Sequence, residues 1–143
     1  MLAGSGHTGV MELLLKKGAP IETIDILGST SLHGAAGYGE TGVVKLLLEN
    51  GASIEALNNN YNTPLHCAAK HGDTGVVELL LEKGASIDAM NNDGNTPLHC
   101  AIEHGSTGVV GLLIRKGASI KAMNKDHKYS IALCSEETYS VTA

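Results

Sequence analysis

The chain has 143 residues, with 10 Lys and Arg against 15 Asp and Glu, a formal net charge of −5, and neither Trp nor Phe. That length suits one domain, and an acidic balance without a run of Lys and Arg excludes a phosphate-tracking surface, so no nucleic acid is expected as a partner. No apolar stretch approaches the roughly 20 residues that cross a bilayer, and Met1-Leu2-Ala3-Gly4 opens neither a signal nor a transit peptide, so a cytoplasmic protein without membrane insertion is expected.

In chain order, Thr8-Gly9-Val10 comes first, followed by Leu13 and Leu14. Ser29-Thr30-Ser31-Leu32-His33-Gly34-Ala35 then precedes a second Thr-Gly-Val at Thr41. Asn62-Thr63-Pro64-Leu65-His66-Cys67-Ala68 precedes a third at Thr74, and Asn95-Thr96-Pro97-Leu98-His99-Cys100-Ala101 a fourth at Thr107. Pro64 and Pro97 are 33 residues apart. A fixed period of this size makes each copy one supersecondary unit that buries its apolar face by stacking on neighbours. The 18 glycines mostly fall at recurrent helix starts and ends, so a low-complexity reading fails.

One copy can be read from its chemistry. Thr63 is a helix N-cap, and Pro64 lacks only an N–H that would have been orphaned. Gly72 closes that helix, Asp73 or Thr74 caps a second one running to about Glu82, and Gly84 closes it in turn. Val76, Val77, Leu79 and Leu80 form the buried face of the second helix, with Glu78 and Glu82 on the wet one. Ala85 to Asn95 reads as a short extended finger of turn-forming residues. Gly75, like Gly9, Gly42 and Gly108, costs roughly 1 kcal/mol relative to Ala in a helix, which points to close backbone packing.

Asn58 to Met90 resembles an ankyrin repeat: Thr63-Pro64-Leu65-His66, Ala68-Ala69, Gly72, Val76-Val77, Leu79-Leu80-Leu81 and Gly84-Ala85 fall on that family's consensus letters. The resemblance covers essentially the whole chain. It implies an all-α helical solenoid of stacked helix-turn-helix repeats with short β-hairpin-like fingers. In this register 1–143 is a single domain: 1–24 is a partial repeat, 25–57, 58–90 and 91–123 are complete, and 124–143 is a degenerate partial repeat in which Tyr129-Ser130-Ile131-Ala132 replaces the Thr-Pro-Leu-His motif. Leu2, Val10, Leu13 and Leu14 then lie in a half-copy, and fraying ends are expected.

Cys67 and Cys100 share a slot one period apart, and repeats stacked about 10 Å apart hold them beyond disulfide reach. They are expected as reduced thiols filling a small apolar slot. Cys134, in the degenerate copy, is expected to be exposed and open to oxidation. His33, His66 and His99 form one row, which the resemblance assigns to hydrogen bonds within and between adjacent turns. His71 and His104 form a second. Parallel rows cannot converge three or four ligands on a metal, so neither metal nor cofactor is expected. Nor do rows of Cys, His and carboxylate supply a triad with an oxyanion site, and Gly4-Ser5-Gly6 falls at a helix end rather than after a strand. The chain is read as non-enzymatic.

Recognition of another protein remains. The resemblance implies contact through finger tips and the exposed side of the first helices, which line a concave groove. Carried over, the candidates are Ile26, Leu27, Tyr38, Asn59, Asn60, Lys70, His71, Asn92, Asp93, Glu103 and His104, with Ser29, Gly37, Asn62 and Asn95 in the same surface slots. Ile26 and Leu27 are adjacent apolar residues on a finger tip. Tyr61 stands where Gly28 and Gly94 stand in neighbouring copies, at a turn favouring positive φ, and is the candidate binding anchor; the alternative is a turn at negative φ. Glu22, Glu55 and Asp88 form an acidic ridge, read as a solvated edge. Alternatives to an interaction scaffold are a structural spacer in a longer solenoid or a targeting and regulatory domain of a larger enzyme. The segment is expected to be monomeric or part of a longer chain.

Overall fold

The computed structural model describes residues 5–128. Seven helices occur among them: α1 (Ser5–Lys16), α2 (Ser31–Gly37), α3 (Thr41–Glu49), α4 (Pro64–His71), α5 (Thr74–Glu82), α6 (Pro97–Glu103) and α7 (Thr107–Arg115). Two rows result: α2, α4 and α6 stack on one another in an inner row, while α1, α3, α5 and α7 stack in an outer row, and α2–α3, α4–α5 and α6–α7 pack as pairs. The core runs between the rows as layers of Leu, Val and Ala, to which the inner row gives Leu32, Leu65 and Leu98 and the outer one Leu47, Leu80 and Leu113. Val76, Val77 and Leu80 are fully buried; Leu79 is half-buried.

Local chemistry sets the helix ends. Thr30, Thr63 and Thr96 cap α2, α4 and α6, each accepting the backbone N–H of the histidine three residues on, whose ring accepts the threonine N–H in return. Gly72 closes α4 at φ 91, and Asp73 accepts the Val76 N–H to cap α5. The outer helices end alike: after α5, Gly84 N–H donates to Leu81 and Ala85 N–H to Leu80, which satisfies two carbonyls and brings the buried Ala85 onto the layer. The same pair of bonds follows α3 at Gly51 and Ala52 and α7 at Gly117 and Ala118.

Three findings differ from the sequence reading. The fingers contain no strand among the described residues: they are turns, with Met123 alone in a bridge, because each contacts the next through a single backbone bond, as from Asn59 N–H to the Leu27 carbonyl. Ser5 and Gly6, expected at a helix end, instead open α1 three residues before Thr8. The recurrent helix glycine also has its reason. A Cβ on Gly42 would lie 2.7 Å from Thr8 Oγ1, and one on Gly108 would lie 3.2 Å from Thr74 Cγ2, so each glycine seats a threonine of the preceding outer helix.

Candidate functional site

The fingers are shaped by one side chain each. Asp25 Oδ1 accepts the N–H groups of Leu27 and Ser29, Asn58 Oδ1 those of Asn60 and Asn62, and Asn91 Oδ1 those of Asp93 and Asn95. With the turn pinned from inside, the tip residues project outward. Ile26 is 93% exposed, and Leu27, Asn59, Asn60, Asn92 and Asp93 are exposed as well. Tyr61 sits at φ 62 where Gly28 and Gly94 have φ 75, so the left-handed turn is kept although a tyrosine occupies it. The negative-φ alternative is thereby corrected. His127 repeats the exception one period after Gly94, at φ 60.

Behind the tips, the C-terminal ends of the inner helices carry Tyr38, Lys70, His71, Glu103 and His104, all exposed. A cavity of about 460 Å³ opens along them, and four of the twelve candidates line it: Tyr38, Lys70, His71 and His104. Its floor is made by Gly34, Gly37 and Cys67, and its finger side by Asp25 and Ser29. Gly34 stands in the slot of Cys67 and Cys100, and a Cβ there would meet nothing within 4 Å. The other eight candidates, Ile26, Leu27, Asn59, Asn60, Tyr61, Asn92, Asp93 and Glu103, lie outside this lining.

The histidine row of the inner helices is framework. His66 is fully buried; its Nδ1 accepts the Thr63 N–H at 3.0 Å, and its Nε2 donates to the Asn95 carbonyl, 29 residues on, at 2.8 Å. His33 makes the same link to Asn62, and His99 to Lys128. Burial holds the His66 pKa below its usual 6.5, so the ring is neutral with its proton on Nε2. Both thiols on this face are inert for a related reason: burial pushes Cys67 up to about 11 and Cys100 to about 12. Both cysteines are free. Cys134 lies outside the described residues. Among those described, no three His, Cys, Asp or Glu side chains come together as a metal would require.

Two groups of residues change their role. Asn62 and Asn95, taken as surface slots, belong to the joints: their side-chain oxygens accept from Asn91 and Asn124 Nδ2 at 2.8 and 2.9 Å. The acidic ridge is likewise bonded. Glu22, Glu55 and Asp88 accept the backbone N–H of Ser53, Ser86 and Ser119, each 31 residues on. One exposed column escaped the sequence reading: Ile24, Leu57, Met90 and Met123, a large apolar residue every 33 positions. That period was its available signal.

A family model described as "Ankyrin repeats (3 copies)" matches residues 1–58 and 54–124. None of the curated proteins compared with the chain matches it. No helix among the described residues is long and apolar enough to cross a membrane.

Proposed function

Because the chain belongs to the ankyrin repeat family, whose members are generally protein-interaction modules and typically non-catalytic, we propose that it is a protein-binding scaffold that presents its inner-helix groove and finger tips to a partner. The observation that carries this reading is the division of labour within each copy. His66, Asn62 and Glu55 are consumed by bonds that hold copies together, whereas the groove slots hold Gly34, Gly37 and Tyr38 in the first copy, Cys67, Lys70 and His71 in the second, and Cys100, Glu103 and His104 in the third. A constant joint with a changing face suits recognition of one particular surface. We take 1–143 as one domain with complete repeats at 25–57, 58–90 and 91–123, part of a longer protein and cytoplasmic.

Filling the groove tests the reading. Gly34→Leu places a side chain where a Cβ meets nothing within 4 Å, so the fold and its melting temperature should persist. Affinity for a partner identified by cross-linking should fall at least tenfold, about 1.4 kcal/mol. Unchanged affinity in a folded Gly34→Leu protein removes the groove from the binding surface.

A further inference from the structure

The exposed apolar column runs through the interior of the array, at the bases of the fingers. Ile24, Leu57 and Met90 are 65%, 51% and 61% exposed, and none belongs to the buried layers. Each directly precedes the residue whose side chain pins its finger, Asp25, Asn58 or Asn91, so its place on the surface is fixed by that turn. Apolar residues scattered singly over a surface need no explanation; one slot filled by Ile, Leu and Met in successive copies is a row.

A carboxylate stands beside each of them. Glu22, Glu55 and Asp88 lie two residues earlier, within about 7 Å along the chain, and all are exposed. The bond that each makes to a serine N–H of the next copy uses one oxygen: Glu22 Oε1, Glu55 Oε2 and Asp88 Oδ1. The second oxygen of each has no partner among the described residues. A carboxylate already held in place loses little further freedom when a cation pairs with that second oxygen. In the following copy the sign reverses, because Lys121 fills the same slot.

We propose that the finger-base column docks an extended, basic segment of another protein in polyproline II conformation, with one apolar residue and one cation in each turn. This rests on the protein-binding reading and gives it a second surface, apart from the groove. Spacing selects the conformation. Repeats stacked about 10 Å apart set the step of the column, and a polyproline II segment returns a side chain to the same edge every three residues, about 9 Å along. A β-strand returns to one face every 7 Å or so and falls out of step. The finger bases at Ile24, Leu57 and Met90 also hold no strand with which its backbone could pair, whereas a polyproline II backbone needs none. Charge selects the composition. Three carboxylates call for a cation in each turn, and Lys121 repels a fourth, so the segment spans Ile24 to Met90 and stops there.

Fluorescence anisotropy of the full chain with a labelled peptide of three Leu-Pro-Arg triplets, at low ionic strength, tests this. The peptide should bind saturably, and peptides of Leu-Pro-Glu or Ser-Pro-Arg triplets at least about tenfold more weakly; these arms need no variant of the protein. Leu57→Ser and Met90→Ser, both at exposed sites, should each weaken binding at least about fivefold. Glu55→Gln should do the same, since its amide oxygen still accepts the Ser86 N–H while the charge is gone; thermal melts check that all three fold. Lys121→Glu should tighten binding of a four-triplet peptide at least about fivefold and leave the three-triplet peptide unchanged. Gly34→Leu, which fills the groove, should also leave it unchanged, so failure of the groove and failure of the column are read separately. Absence of binding overturns the proposal, as does a Leu57→Ser, Met90→Ser double variant that binds like the unaltered chain. So do three reassignments: loss of peptide binding in Gly34→Leu, to the groove; tighter binding of a helical peptide of the same composition, to a helix; self-association in sedimentation that Leu57→Ser abolishes, to a second copy.

Discussion

From Thr8 to Leu15 and from Thr74 to Leu81 the chain writes nearly the same word, differing only where Met11 replaces Val77. In α5 that word is core; in α1 much of it faces solvent. The difference lies wholly in what stands beside the helix, since α5 has α4 against its apolar face and an outer helix on either side, while α1 packs chiefly on α3. In a solenoid a residue's slot is set by its own repeat, and its burial by the neighbours.

The largest test of that contrast is truncation at one slot in both helices. Leu80→Ala should cost about 2 to 5 kcal/mol in urea unfolding, while Leu14→Ala at dilute concentration should cost no more than about 1 kcal/mol. Equal losses would break the comparison. Amide exchange should agree, with protection greatest between Asn58 and Met90 and falling toward Ser5.

A histidine pair sharpens it next. His66→Ala orphans the Thr63 N–H and the Asn95 carbonyl, a loss of about 1 to 3 kcal/mol per buried group, whereas the exposed His71→Ala should stay within about 0.5 kcal/mol. Because the folded pKa of His66 lies below its usual 6.5, the unfolded chain takes up the proton first. Stability is therefore full above about pH 6.5 and declines as pH falls toward the folded value; the decline should vanish in His66→Gln.

Tyr61 bears on the comparison through strain. Tyr61→Gly should leave stability unchanged or raise it, since relief of about 1 to 2 kcal/mol of left-handed strain competes with about 0.5 to 1 kcal/mol of glycine entropy. Partner affinity should drop at least tenfold if the side chain is an anchor. Retained affinity shifts the binding site to the inner-helix ends.

The smallest effect is the cleanest in sign. Gly9→Ala should stabilise by roughly 1 kcal/mol through helix propensity, because its space is open, while Gly42→Ala gains the same propensity and loses it to the clash with Thr8. The melting temperature should rise for Gly9→Ala and stay near that of the unaltered chain for Gly42→Ala.

What could be read from the sequence was what one copy determines alone. The caps at Thr63, Pro64 and Asp73, the closure at Gly72 and Gly84, and the buried face of α5 follow from local chemistry, and the structure places them so. What could not be read was what two copies determine together. No propensity explains Gly42 until Thr8 is placed behind it, and Glu55 looks solvated until Ser86 is known to lie beside it. Asn62 and Asn95 look like finger surface until the next copy's asparagine reaches back to them. The groove was legible only in part for the same reason: its candidates came from slots, and its lining joins Gly34 and Gly37 to Cys67 of another copy.

The bonds between copies have fixed sequence separations: 29 residues for the histidine and asparagine ladders, 31 for the acidic ridge, 32 from one finger to the next. A one-residue insertion in a finger throws all three out of phase at once. Excising or duplicating a whole 33-residue period, cut at any point, restores every one of them. Unequal crossing-over in the coding sequence can therefore change the number of copies freely, while the length of each copy is held fixed.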